Sequence, residues 1–276
     1  MTYFLAKIVN IIPWWMRDEI RKIPLVSDFQ RILFRKYFSG KSFLYVINGG
    51  PAKGLKIPIS LPDDKLIWTG TWEKKVAEKI YSNIKKNKSS YDIGSHRGFM
   101  AGIMALAGSK IVYCFEPNPG NIKHLNELCH LNRKLRLKLL PYAIAEKSGE
   151  AEFSLMPESS MGKLSKSLFQ PEVKRNTSIM VQVRALDSLL KEGEIEPPGF
   201  IKIDVEGAEL RVLEGARKII KEYSPNFVVE LHSFSLADKC QKFLREYGYN
   251  VEIIQKEIDF TNESKFKVCH LLAIKT

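Results

Sequence analysis

Two short segments near the middle of the sequence combine glycines and acids at spacings that suit a nucleotide. In Tyr91-Asp92-Ile93-Gly94-Ser95-His96-Arg97-Gly98 one apolar run stops and another begins. Gly94 would let the backbone turn tightly at a strand end, Gly98 would let the following helix pack close, and the N–H groups between them can face a polar ligand. The next apolar run closes on Phe115-Glu116-Pro117-Asn118-Pro119. Glu116 thus stands roughly 20 residues past the first glycine, where the acid of a nucleotide-binding βαβ unit accepts hydrogen bonds from two ribose hydroxyls. S-adenosylmethionine and a nicotinamide dinucleotide both carry that ribose. A dinucleotide loop needs G-x-G-x-x-G so that its backbone can approach a pyrophosphate, and here Ser95, His96 and Arg97 fill the space between the glycines. Asp92, just before the turn, also suits a cationic sulfonium better than a phosphate. The balance favours S-adenosylmethionine.

More acids gather downstream. Residues 200–209 read FIKIDVEGAE, which places Asp204, Glu206 and Glu209 at a strand end and a helix start. The helix dipole alone accounts for acids such as Glu206 or Glu209, whereas Asp204, on the strand end itself, is a candidate for chemistry. The run Val228-Val229-Glu230-Leu231-His232 ends another strand, and two-residue alternation sends Glu230 and His232 to one side.

These residues need a scaffold, and hydrophobic periodicity supplies one. From residue 90 the pattern alternates strand 91–93, helix 99–107, strand 111–115, helix 121–131 and strand 137–141. An irregular, serine-rich stretch follows over 146–178. Then come strands 180–184 and 200–203, helix 208–222, strand 227–231, helix 236–247 and strands 251–254 and 268–274. Such alternation implies an α/β fold, a doubly wound, mostly parallel sheet with ligand sites at the carboxyl ends of its strands. Ahead of it, 43–47 and 55–59 read as a small hairpin around Asn48-Gly49-Gly50-Pro51, and 74–86 as a helix. The expected division is a basic amphipathic helical arm over 1–42 and one domain over 43–276, with 43–88 as its lead-in and 89–276 as its Rossmann-like core.

Composition is that of an ordinary folded chain: 276 residues, 45% hydrophobic and 27% charged, which excludes wholesale disorder, a collagen repeat and a polytopic membrane protein. The charge is unevenly spread. Of the net +12, the first 90 residues carry 17 Lys and Arg against 7 Asp and Glu. A basic, aromatic arm suits an anionic membrane surface, packing on the main domain, or packing on a second subunit in a homo-oligomer. Nucleic acid is disfavoured because no aromatic stacking motif accompanies the basic residues. Cys114, Cys129, Cys240 and Cys269 form no CxxC pair and read as core thiols of a reducing compartment. The N-terminus lacks a basic leader and is broken by Lys7, Asn10 and Pro13, so the expected location is cytoplasmic, with the inner membrane face as a peripheral site.

The ordered set YDIGSHRGF, FEPNP, AIAEKSGEAEF, LDSLL, IKIDVEGAELRVLEGA and VVELH resembles the FkbM-type S-adenosylmethionine-dependent methyltransferases, and NGGPAKGLKI with the following TWE is similar to their upstream segment. The resemblance implies a class I methyltransferase fold with its last strand antiparallel, and methyl transfer to a hydroxyl of a glycan, glycolipid or secondary metabolite. It implies that Asp92, Gly94 and Gly98 line the methionine end of the cofactor, that Glu116 takes the ribose and that Glu73 comes near it, and Ser95, Pro117 and Asp204 are expected to bind the cofactor with them. Trp72 stands where the family has Tyr, and His96-Arg97 interrupt the glycine loop.

An alcohol is a poor nucleophile near neutral pH, so the reaction needs a positioned base or a metal that acidifies the hydroxyl. His232 is the first choice of base, with Asp204 and Glu230 beside it, because an unperturbed imidazole titrates at about 6.5. Alternatively, Asp204, Glu230 and His232 hold Mg or Mn. His124, His130 and His270 are expected to be surface or core residues. Two other classes stay open: a non-catalytic basic module that binds acidic lipid or polymer, and an NAD(P)-dependent oxidoreductase.

Overall fold

The computed structural model describes residues 42–61, 64–155, 162–164, 177–256 and 268–275, together with Pro13 and Met16. The helices and membrane or subunit contacts expected of the 1–42 arm lie outside the described residues. In chain order the elements are β1 (Ser42–Val46), β2 (Lys56–Ser60), α1 (Lys65–Thr69), α2 (Lys74–Asn83), β3 (Ser89–Ile93), α3 (Phe99–Leu106), β4 (Val112–Phe115), α4 (Pro119–Leu131) and β5 (Leu137–Leu140). They continue with β6 (Ala143–Ile144), β7 (Gly149–Leu155), β8 (Gly162–Leu164), β9 (Thr177–Arg184), α5 (Leu186–Lys191), β10 (Pro198–Ile203), α6 (Glu209–Glu214), α7 (Arg217–Tyr223), β11 (Asn226–Leu231), α8 (Phe234–Glu246), β12 (Asn250–Lys256) and β13 (Cys269–Ile274).

Seven strands form the central sheet in the order β12-β13-β11-β10-β3-β4-β5, with β13 antiparallel to both its neighbours. Its inner strands are buried almost throughout because helices or the hairpin cover both faces. On one face the β1-β2 hairpin, α2, α3 and α4 pack over Val112, Cys114, Phe200 and Val228. On the other, α5 to α8 pack over Tyr91, Ile93, Phe115, Ile201, Ile203, Phe227 and Val229. Gly102 of α3 meets Leu55 so closely that a Cβ there would lie 2.7 Å from both Leu55 methyls. Local signals set the helix starts: Asn118 caps α4 by accepting the Gly120 N–H at 2.9 Å, and Pro119 follows at the first turn.

Three features differ from the sequence expectation. The helix read over 208–222 is two helices, because at Gly215 the backbone passes the Ala145 carbonyl and a Cβ would lie 2.3 Å from that oxygen. The stretch read as irregular contains β7 and β8, which join β6 and β9 in a second sheet of order β6-β9-β7-β8. β7 and β9 pair antiparallel, Phe153 opposite Ile179, across a long intervening segment that no local pattern reports. Two short helices, α1 and α5, have no counterpart in the sequence expectation. All four cysteines keep their thiols, with Cys114, Cys240 and Cys269 buried. Among the described residues no helix is long and apolar enough to cross a membrane.

Candidate active site

The site follows from sheet order. Glu116 leaves β4, Gly94 leaves β3, Asp204 leaves β10, and Glu230 and His232 end β11; antiparallel β13 brings His270 to the same edge. Strand order reverses between β3 and β10, the place where open α/β sheets bind ligands. A cavity of roughly 440 Å³ opens there, walled by Trp72, Glu73, Gly94, Ser95, His96, Glu116, Pro117, Lys202, Asp204, Glu206 and Glu230 over Phe99, Met100, Phe115, Ile144 and Phe153. Seven of the ten site residues read from the sequence line it. Asp92, Gly98 and His232 stand behind the wall.

Gly94 and Gly98 have distinct geometric duties. At Gly94 (φ 75°) a Cβ would lie 1.7 Å from the Asp204 carbonyl oxygen, and at Gly98 (φ 84°) one would lie 2.4 Å from Leu125 Cδ1. The first lets β3 and β10 tips touch; the second seats α3 on α4. Gly94→Ala is therefore expected to lose about 3 kcal/mol or more, clash and backbone strain together. Gly54→Ala, at φ 95° with nothing within 4 Å, should show the strain alone, about 1–2 kcal/mol. Urea denaturation of the two variants checks this; equal losses would deny the close approach.

Glu116 is 4% exposed and held by the loop it faces: Oε2 accepts the His96 N–H and Oε1 the Asn118 N–H, both at 2.8 Å. Burial pushes its carboxyl up to about 7 despite these bonds. Ser95 donates its hydroxyl to the Asp92 carbonyl at 2.6 Å. His96, in the left-handed region at φ 51°, keeps a neutral ring, since burial and neighbouring Arg97 push it down to about 4, and its buried Nε2 makes no hydrogen bond.

Lys202 is the residue that sequence reasoning missed. It lies beside Asp92 in the β10–β3 register, and its ammonium reaches the Gly94 carbonyl at 3.1 Å, Asp204 Oδ2 at 3.0 Å and Asp92 Oδ1 at 3.5 Å. Asp92 is wholly buried, and that burial raises its carboxyl against the pull of Lys202. A lysine inside the otherwise apolar Phe200-Ile201-Lys202-Ile203 was the available signal.

Imidazoles and carboxylates alternate at the β11–β13 end. His232 Nδ1 is 2.8 Å from Oε1 of fully buried Glu209, which fixes the ring so that Nε2 faces Glu230 Oε1 at 3.3 Å, Glu206 Oε2 at 3.4 Å and Asp204 Oδ1 at 3.9 Å. Glu230 Oε2 meets His270 Nε2 at 3.0 Å, and Glu73 Oε2 lies 3.8 Å from the same nitrogen. His270, read as surface or core, is indeed buried but touches the site, because Glu230 and His270 are cross-strand partners. Burial opposes charge on His232, yet the Glu209 and Glu230 bonds outweigh it and push the imidazole up to about 11. Burial likewise works against ionised Glu230, but bonds to His232 and His270 hold its carboxyl well below the usual range. Glu206 and Glu73 rise to about 7, burial first and neighbouring acids next. Asp204, Glu230 and His232 offer ligand atoms within 4.8 Å of one another, as do Glu73, Glu230 and His270.

Counted in chain order, the seven strands of the main sheet lie 6-7-5-4-1-2-3 with the last antiparallel, so the fold is that of a class I methyltransferase. The family model for the methyltransferase FkbM domain matches residues 92–251. The hexuronic acid methyltransferase AglP of Haloferax volcanii is 29% identical over 192 residues, covering 68% of this chain and 75% of that protein. The 2-O-methyltransferase NoeI of Sinorhizobium fredii is 29% identical over 161 residues, 53% of this chain and 65% of its own length. A crystal structure of methyltransferase FkbM from Methylobacillus flagellatus aligns with TM-score 0.46 at 17% identity, over 75% of this chain and 52% of that one. The chain belongs to the FkbM family of S-adenosylmethionine-dependent methyltransferases. Of the function classes open from sequence, this membership selects methyl transfer.

Proposed function

We propose that this chain transfers a methyl group from S-adenosylmethionine to a hydroxyl of a glycan, glycolipid or related metabolite. The observation that carries the reading is the order of groups along one sheet edge: a diol-accepting carboxylate at β4, a glycine turn at β3, and a carboxylate–imidazole cluster at β11. The names of two relatives, one a hexuronic acid methyltransferase and one a 2-O-methyltransferase, support a saccharide hydroxyl as acceptor.

The residues fit the cofactor. Glu116 is pinned by two backbone N–H groups and by the Asn121 side chain, and it faces the cavity with acceptor capacity left for a ribose hydroxyl. The orphaned Nε2 of His96 offers a hydrogen bond to a polar ligand. Gly94, Ser95 and Pro117 shape the wall, and Asp204 and Glu73 give it the negative charge that suits a sulfonium. Asp92 and Gly98 act from behind, the first through Lys202 and the second by seating α3. When bound, S-adenosylmethionine supplies an electrophilic methyl group.

What the protein adds is orientation and proton removal. Asp204, Glu206 and Glu230 accept hydrogen bonds from the acceptor and hold one hydroxyl beside the cluster. With its proton held up to about 11, the imidazole of His232 cannot take another near neutral pH. The cation reading rests on geometry: Asp204, Glu230 and His232 Nε2 would hold Mg or Mn, which would displace that proton and lower the pKa of a hydroxyl. The Glu209 bond to Nδ1 supports it, since metal-bound imidazoles usually donate their other N–H to a carboxylate.

The test is calorimetric binding of S-adenosylhomocysteine to the chain and to Glu116→Ala, beside NAD. Micromolar binding should weaken about 10- to 100-fold in the variant, the worth of hydrogen bonds to a charged group, with no heat from NAD. Equal affinities, or binding of NAD instead, would sink the reading.

A further inference from the structure

Two tryptophans lie four residues apart in the lead-in segment and do different things. Trp68 is 2% exposed and packs edge-on against Phe43 and Tyr45, a core residue by every measure. Trp72 is 38% exposed and forms part of the cavity wall. Phe99, Phe115 and Phe153 in that wall are buried and Tyr142 is half-buried, so Trp72 is the most exposed aromatic of the wall. Its backbone is fixed, the N–H donating to the Leu66 carbonyl at 3.2 Å, and the preceding Thr71 is buried.

Sheet order says which end of the cavity Trp72 serves. Its neighbour Glu73 reaches His270 on β13, and three strand steps, roughly 14 Å, separate β11 from the β4 tip that carries Glu116. Trp72, the residue before Glu73 and itself part of the wall, is therefore tied by its backbone to the carboxylate–imidazole end. There Glu73, Glu206 and Glu230 present hydrogen-bond acceptors to whatever enters, beside one flat apolar face. A pyranose matches that pair of demands: several hydroxyl donors around its edge and a face of C–H groups to lie on an indole. Charge narrows the choice further. Lys202 is the one lysine or arginine among the described residues of the wall, and Asp92, Asp204 and the Gly94 carbonyl already engage it. A sugar carboxylate would face Glu73, Asp204, Glu206 and Glu230, with the two imidazoles each bonded to Glu230; a divalent cation on Asp204, Glu230 and His232 would offset two of those charges and leave Glu73 and Glu206 facing it.

We propose that Trp72 is the platform on which the acceptor ring lies and that the acceptor is an uncharged saccharide. This rests on the methyl-transfer reading and goes beyond it in naming the ring, the residue that selects it and an absence of charge that departs from the hexuronic acid in one relative's name.

Saturation-transfer NMR on the full chain with S-adenosylhomocysteine bound tests it. The probes are the methyl glycosides of glucose, mannose, N-acetylglucosamine and rhamnose, with methyl glucuronide and catechol as counter-probes. At least one neutral glycoside should receive saturation at its ring C–H protons. Trp72→Ala should weaken that glycoside at least tenfold, Trp72→Phe threefold or less, and both should keep the S-adenosylhomocysteine affinity within twofold. The proposal falls if glucuronide binds more tightly than every neutral glycoside, if catechol alone depends on Trp72, if Trp72→Ala binds sugar normally, or if no sugar binds. In each of those cases bound S-adenosylhomocysteine leaves the methyltransferase reading standing, whereas its failure to bind would take both.

Discussion

Lys202→Met should cost about 3–5 kcal/mol of folding stability at neutral pH, the usual consequence of removing one partner from a buried ion pair. The ammonium is the only positive group within bonding reach of Asp92 among the described residues, and Asp92 has no exposed surface. Without it a carboxylate is left charged in an apolar interior, or it takes a proton. The sign of the pH dependence follows. In the variant the folded-state pKa of Asp92 rises further above its unfolded value, so its contribution to stability is whole at low pH and is lost as pH climbs through the raised pKa. The deficit therefore widens from pH 5 to pH 8. Urea denaturation of Lys202→Met across that range measures it, and Lys202→Met/Asp92→Asn provides the control, since removing both charges should restore much of the loss. A double variant no better than the single one would mean that Asp92 is not what Lys202 neutralises. The same change frees the Gly94 carbonyl and Asp204, so S-adenosylhomocysteine affinity should fall in both variants.

How much of this was legible before the structure depends on the range of the interaction. The βαβ core was, because β4, β10 and β11 are largely apolar runs, these and β3 end at glycine or acid, and the helices between them repeat every three to four residues. Gly94, Glu116, Asp204 and Glu230 stood out because each follows such a run, and strand ends converge in a parallel sheet. His270 did not, since nothing in Val268-Cys269-His270-Leu271 says that β13 pairs antiparallel with β11 in the register that sets it opposite Glu230. The helix dipole accounts locally for an acid at Glu209, whereas its Oε1 serves a histidine two elements away. An isolated imidazole titrates near neutrality, and the carboxylates around His232, Glu209 and Asp204 from other segments and Glu230 from its own, alter that property most. Local pattern located the site, while the protonation of its groups is a tertiary property.

Glu230→Gln should abolish the catalytic cluster while leaving the cofactor end intact. The substitution keeps the shape but removes the charge between two imidazoles, His232 Nε2 at 3.3 Å and His270 Nε2 at 3.0 Å. A drop in kcat of about 1,000-fold is expected, within the range a missing proton-transfer group costs, with S-adenosylhomocysteine affinity within threefold. Electron paramagnetic resonance of added Mn²⁺ reads the same cluster without an acceptor. The full chain should bind the ion at Asp204, Glu230 and His232, Glu230→Gln should weaken it by about 100-fold or more, and Glu209→Gln, which touches the imidazole's far side, by about 10- to 100-fold. Proton linkage supplies the sharpest discriminator. Because His232 holds its proton up to about 11, a cation on Nε2 must displace it, so Mn²⁺ affinity should rise about tenfold per pH unit between pH 7 and 9. Affinity that is flat over that interval would place the ion on carboxylates alone. A chain that binds no Mn²⁺, and whose methyl-transfer rate still climbs beyond pH 9, would return the role of base to His232 itself, because a base acts only in the fraction that has lost its proton.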